Sequence, residues 1–171
     1  MKRNFIALCT LLLAACGSQE PKIPLFSNEA FQTEADGKPV GIYTLRAGDV
    51  TMQVTNYGAR VVSLWTPDRA GDYEDIVLGY ETIDRYINND GERFLGAVVG
   101  PYANRIAKGS FTLDGTEYNL PINNNGQTLH GGIDGLDRVV WDVVSASEDQ
   151  LVMKSLHADG QEGFPGNLQI E

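Results

Sequence analysis

From residue 42 onward the chain runs in short stretches of apolar and β-branched residues, broken by polar turns rich in glycine. "IYTL" (42–45) and "VTMQVT" (50–55) are two such stretches, and Ala47-Gly48-Asp49 between them signals a hairpin. Residues 60–66 form another strand, reached through Asn56-Tyr57-Gly58, and residues 75–80 a short apolar one. Residues 94–99 are almost continuously apolar, which predicts a segment buried on both sides. Residues 111–113 and 116–120 flank Asp114-Gly115, the strongest two-residue hairpin signal in the chain. Residues 139–145 and 151–156 flank Ser147-Glu148-Asp149, and a last strand starts at 167. Only 81–88 has a brief helical character. Many short strands at close spacing predict an all-β, antiparallel β-sandwich or barrel. The final strand, 167–171, has no following sequence to pair with, so an open edge and an apparently truncated domain are expected.

The first residues follow a different pattern. Met1-Lys2-Arg3 is a short positive segment, followed by an apolar run over 5–15, too short for the roughly 20 residues that span a bilayer. It ends in Leu-Ala-Ala before Cys16. Small residues ahead of a cut mark a signal peptide over residues 1–15. A cysteine at that place resembles a bacterial lipobox, which implies lipidation of Cys16 and an exported, membrane-anchored lipoprotein of the periplasm or outer membrane. Residues 16–38 are polar and loop-like and are expected to form a tether, leaving 39–171 as the domain.

Composition narrows the function. Cys9 lies in the leader and Cys16 would be acylated, so no disulfide is expected and a packed core must stabilise the domain. The formal net charge is −10, and removal of residues 1–15 takes away two basic residues and no acidic ones, giving −12. A chain this acidic repels phosphate backbones, so nucleic acid is not an expected partner.

The candidate chemistry centres on "NNNGQTLHGGIDG" (123–135), which carries one of the two histidines, His130. It could be a metal ligand, a general base, a hydrogen-bond donor to a ligand, or a residue without a role. A structural zinc site wants four N or S ligands, and His130 and His157 are too far apart in sequence for any local ligand spacing, so no metal residues are assigned. A structural calcium ion held by oxygens stays open, although no Asp-x-Asp-x-Asp-Gly loop is present. There is neither a Gly-x-Ser-x-Gly motif nor a Walker loop. Neutral polyols are bound by amide, guanidinium and imidazole groups that fork onto adjacent hydroxyls. Asn104-Arg105 supplies an amide beside a five-donor fork, and the glycines after His130 permit close backbone approach. The plain alternatives are a surface arginine, an idle loop histidine and an ordinary asparagine turn. His157 reads as a surface strand-end residue, and Asp159 and Glu162 as turn residues.

Four stretches carry a family resemblance: "TNYGARVVSLWTPDRAGDYEDIVLGY" (55–80), "GAVVGPYANRIAKGSFTLDGTEYNL" (96–120), "NNNGQTLHGGIDGLDRVVWD" (123–142) and "DGQEGFPGNLQIE" (159–171). In this order and spacing the chain resembles the N-terminal half of the aldose 1-epimerase (galactose mutarotase) family. The resemblance implies a large antiparallel β-sandwich, a monomer when full-length, and interconversion of the α and β anomers of hexoses such as galactose and glucose. A base takes the proton of the anomeric hydroxyl while an acid protonates the ring oxygen, the ring opens, C1 rotates, and the ring closes on the other face with the roles reversed; no cofactor is required. It further implies that Asn104, Arg105 and His130 bind the sugar. The family's catalytic glutamate and histidine fall beyond the Gly-Phe-Pro-Gly motif, so no catalytic residue is assigned within this chain. The alternative is a non-catalytic carbohydrate-binding lipoprotein. One departure is Pro101, where the family usually has arginine.

Overall fold

The computed structural model describes residues 23–88 and 91–171. The expected signal peptide, and with it Cys16, lies outside the described residues. The expected tether lies outside them up to residue 22.

The architecture is nearly all β, and every strand pairing is antiparallel, as the spacing of strands and turns predicts. A short helix α1 (Asn28–Phe31) and the hairpin β1 (Thr33–Ala35) and β2 (Lys38–Val40) come first. A four-stranded sheet follows, in the order β3 (Ile42–Ala47), β4 (Val50–Thr55), β5 (Arg60–Pro67) and β6 (Tyr73–Asp75). Helix α2 (Ile83–Ile87) matches the one brief helical stretch of the sequence. Next come β7 (Arg105–Ala107), the hairpin β8 (Ser110–Leu113) and β9 (Thr116–Asn119), and β10 (Gln127–Leu129), which returns to pair with β7. A three-stranded sheet of β11 (Asp142–Ala146), β12 (Leu151–His157) and β13 (Leu168–Ile170) closes the order.

The core sits where α1, α2 and the β3–β6 sheet meet. Phe31, Val40, Tyr57, Val62, Ile83, Tyr86 and Val140 form one buried apolar cluster. This corrects the expected tether boundary of 16–38. Phe31 is 0% exposed and its ring lies 6.0 Å from that of Phe26 and 6.3 Å from that of Tyr86. Burying a phenylalanine fully is worth roughly 1.5–3 kcal/mol, enough to hold a segment that reads as polar. The backbone of Phe26 is also paired. Its N–H donates to Gln53 Oε1 at 2.9 Å, and Gln53 Nε2 donates back to its carbonyl at 3.0 Å. Ser27 caps α1 by accepting from the Ala30 N–H.

Two other expectations change. Residues 94–99 form no strand, and Gly96 and Val98 are exposed. The segment is instead tied to β5 and its turn through hydrogen bonds from Val61 N–H to Gly96 O and from Val98 N–H to Gly58 O. The short strand expected over 75–80 is displaced to β6, Tyr73–Asp75.

Asn56 knots the sheet to the site. Its Oδ1 accepts from Gly41 N–H, and its Nδ2 donates to the carbonyls of Pro39 and Trp141. With the Gly58 N–H to Val139 O bond and the Trp141 N–H to Asn56 O bond, this ties residues 139–141 to the turn between β4 and β5.

Candidate active site

The β7–β10 pairing builds the site. Leu129 lies opposite Arg105, so Asn104, just before β7, meets His130, just after β10. Asn104 and His130 exchange two hydrogen bonds. The His130 N–H donates to Asn104 O at 3.0 Å, and the Asn104 N–H donates to His130 Nδ1 at 3.0 Å. A donor facing Nδ1 requires a lone pair there, so the neutral ring carries its proton on Nε2 and presents a donor. Burial pushes the His130 pKa below its ordinary value; Asp137 opposes this, while the positive charges of Arg105 and Arg93 push it further down. At neutral pH His130 is therefore a neutral hydrogen-bond donor.

Arg105 is held in the same group. Its Nη1 donates to Asn104 Oδ1 at 3.1 Å and its Nε to Asn124 Oδ1 at 3.1 Å. Both Asn104 and Arg105 are exposed, and His130 is half-buried. The three residues singled out from the sequence thus come together, with donors directed by backbone and amide partners. An apolar cleft of about 450 Å³ opens beside Arg105, lined by Tyr102, Ile106, Phe111 and Phe164 among others. It takes in Arg105 but neither Asn104 nor His130, so the polar trio stands at its rim.

The backbone here is strained in a directed way. Asn104 has φ 68° and His130 φ 53°, both in the left-handed region that costs a non-glycine residue roughly 1–2 kcal/mol. Such residues persist where the surroundings over-determine them. Gly131 (φ 93°) supplies the room: a Cβ on it would come within 1.7 Å of the Gly100 carbonyl oxygen.

Sequence reasoning missed the residues that hold this loop. Asn123 accepts from Leu129 N–H and donates to the carbonyls of Leu129 and Gly132, so one of the three consecutive asparagines is a clamp rather than a plain turn residue. Arg93 forks onto Asp137, with Nε to Oδ2 at 2.7 Å and Nη2 to Oδ1 at 3.0 Å, and Nη2 also reaches Ile133 O at 2.9 Å. Asp137 is 0% exposed, and fully buried Arg60 donates to its backbone carbonyl and to the carbonyls of Arg93 and Leu95. Arg60 occupies an inward position of β5, and a charged residue in an otherwise apolar strand is the signal that could have found it. Glu162 accepts from Ile133 N–H at 2.7 Å from the far side of the loop.

The second histidine is not a surface residue. His157 is 1% exposed at the end of β12, opposite Leu168 and edge-on to the Phe164 ring at 5.9 Å. The apolar neighbours explain its burial, which lowers its pKa against the opposing charge of Glu162. Among the described residues no group of three or more His, Cys, Asp or Glu side chains comes together that could hold a metal ion.

A sequence model of the family "Aldose 1-epimerase" matches residues 41–171. The chain is 41% identical over 138 residues to a probable aldose 1-epimerase of Arthroderma benhamiae, covering 78% of this chain and 31% of the relative. It is 39% identical over 134 residues to galactose mutarotase of Rattus norvegicus, covering 78% and 38%. It is 36% identical over 143 residues to aldose 1-epimerase of Escherichia coli K12, covering 82% and 40%. The chain therefore spans between 31% and 40% of the length of these relatives. Among solved structures, an aldose epimerase homologue from Caenorhabditis elegans superposes with a TM-score of 0.71 at 30% identity, over 76% of this chain and 40% of that one. Galactose 1-epimerase from Lactobacillus acidophilus gives 0.67 at 26% identity, over 81% and 41%. The antiparallel fold, the order of the motifs and these matches agree, and the chain belongs to the aldose 1-epimerase family.

Proposed function

We propose that residues 41–171 form the sugar-holding part of an aldose 1-epimerase that interconverts the anomers of a hexose, galactose or glucose. The observation that carries this reading is the convergence of Asn104, Arg105 and His130 through the paired Asn104–His130 hydrogen bonds, in a chain of this family. His130 serves as a neutral Nε2–H donor to a sugar hydroxyl and Arg105 as a second, charged donor, so both hold substrate.

Mutarotation needs a base for the anomeric hydroxyl and an acid for the ring oxygen. Two carboxylates that hold the His130 loop are engaged: Asp137 is buried against Arg93, and Glu162 accepts from Ile133 N–H. In this reading the proton-moving pair is contributed from outside residues 41–171, and the family resemblance supports a glutamate base and a histidine acid. No step requires a cofactor. Cys16 as a lipid anchor that places the protein at a bacterial membrane belongs to the same reading; mass spectrometry of the exported protein is expected to show acylation that Cys16→Ala abolishes, and an unmodified Cys16 would contradict it.

Polarimetry on fresh α-D-galactose tests the function. Residues 1–171 are expected to bind galactose without speeding its mutarotation, and a longer chain carrying the rest of the family's sequence is expected to speed it. Acceleration by 1–171 alone would place the acid and base within this chain.

A further inference from the structure

His130 and its loop are gripped by residues that touch no sugar in the reading above. Arg93 lies against the Phe94 ring, 4.7 Å from its centroid, and that ring meets the His130 imidazole at 4.6 Å and 60°. The same guanidinium donates to Ile133 O, and Asp137 holds it by a two-point fork. On the other flank Glu162 accepts from Ile133 N–H, and its carboxylate lies where a Gly132 Cβ would stand, 2.2 Å from that position. Glu162 itself sits in the left-handed region at φ 50°, so the 159–166 turn is strained in the conformation that aims this carboxylate at the loop. Both the carbonyl and the N–H of Ile133 are thus tied by charged side chains, and charge-assisted bonds are the strong kind.

We propose that Arg93 is a positioning residue for His130: it acts through the Phe94 ring and the Ile133 carbonyl to fix the imidazole with Nε2–H presented to the ligand, and Glu162 tethers the same loop from the opposite flank. This rests on the reading of His130 as a sugar-holding donor. The physical requirement is orientation. An imidazole free to turn loses the Asn104 N–H at Nδ1, and the neutral ring can then exchange tautomers and present an acceptor instead.

The test uses the full 171-residue chain with Arg93→Lys, Arg93→Met, Phe94→Leu, Glu162→Gln and Glu162→Ala. Two readouts are taken: the ¹⁵N shifts of the His130 ring nitrogens without sugar, and D-galactose affinity. The unaltered chain is expected to show distinct signals for a bare Nδ1 and a protonated Nε2. In Arg93→Met, Phe94→Leu and Glu162→Ala these signals are expected to converge, with galactose affinity falling about tenfold. Glu162→Gln keeps an oxygen for the Ile133 N–H and is expected to stay near the unaltered chain. Arg93→Lys keeps charge without the fork and is expected to fall between. If Arg93→Met does not fold, Phe94→Leu, which leaves the Arg93–Asp137 pair intact, and Glu162→Ala decide. Unchanged ring signals in the folded variants overturn the proposal, whether or not affinity changes. If the unaltered chain binds no galactose, the sugar-holding reading falls, and the ring signals alone judge the positioning.

Discussion

The β3–β5 sheet with its two helices and the loops around His130 are held together by different forces. In the first region, side chains that read as apolar are buried against one another, with Phe31 and Val62 at 0% and 1% exposure. Adjacent strands there pair along nearly their full length. In the second, the strands β7 and β10 are three residues each, and the loop that follows β10 is fixed by side chains that bond to its backbone: Asn123, Arg93, Arg60 and Glu162. Hydrophobic burial is non-directional and tolerates small shifts, whereas a hydrogen bond fixes distance and angle. A site that must present donors at set positions is therefore built on the second kind of scaffold, and the first supplies the platform.

That comparison can be broken by single changes. The largest expected effects are one in each region. Asp137→Ala leaves buried Arg60 and part-buried Arg93 without their carboxylate and is expected to cost about 3–5 kcal/mol. Phe31→Ala opens the core and is expected to cost roughly 3–5 kcal/mol. Urea unfolding measures both. The sharper reading is galactose binding at low temperature, where Phe31→Ala is expected to keep affinity in its folded fraction and Asp137→Ala to lose it.

Gly131→Ala comes next. The added Cβ would strike the Gly100 carbonyl, and φ 93° already disfavours a side chain, so a loss on the order of 2–4 kcal/mol is expected. Gly115→Ala, also at positive φ but with open space around it, is expected to cost only about 1 kcal/mol. Equal losses at the two glycines would show that the Gly100–Gly131 contact does not constrain the loop.

The pH dependence is smaller. Both histidines have folded-state pKa values below the ordinary 6.5 because burial disfavours the cation. Between the lowered values and 6.5 the unfolded chain binds more protons than the folded one. Stability should therefore rise with pH across that window, level off above 6.5, and be lost as pH falls through the lowered values. His157→Gln is expected to flatten the profile without touching the sugar site. A stability that falls as pH rises toward 6.5 would contradict the burial argument. The smallest effect is expected from Lys38→Ala. Its 2.7 Å pair with Asp142 is about half exposed on both sides, so the loss should be within about 0.5 kcal/mol by thermal melting.

The same contrast explains what the sequence discloses. Runs of apolar and β-branched residues mark β3, β4 and β5, and Asp114-Gly115 marks the β8–β9 turn, because these depend on neighbours close in the chain. Asn104, Arg105 and His130 were found because their residue types suit polyols and because of the family resemblance. The clamps were not found. Arg93 meets Asp137 across 44 residues and Glu162 meets Ile133 across 29, and no local spacing encodes such pairs. Residues 94–99 look like a buried strand by composition, yet their apolar side chains serve a bent segment under the site, where Phe94 contacts His130. The polar look of 23–38 concealed Phe26 and Phe31, two aromatic residues sufficient to anchor it.

The most direct test of the sugar-holding site is a titration of the 171-residue chain with D-galactose, followed at the His130 ring nitrogens. The account predicts a saturable shift of the protonated Nε2 signal, with Nδ1 remaining a bare acceptor, and loss of that shift in Arg105→Ala. Ring signals that do not move at saturating galactose, or that move equally in Arg105→Ala, would contradict it.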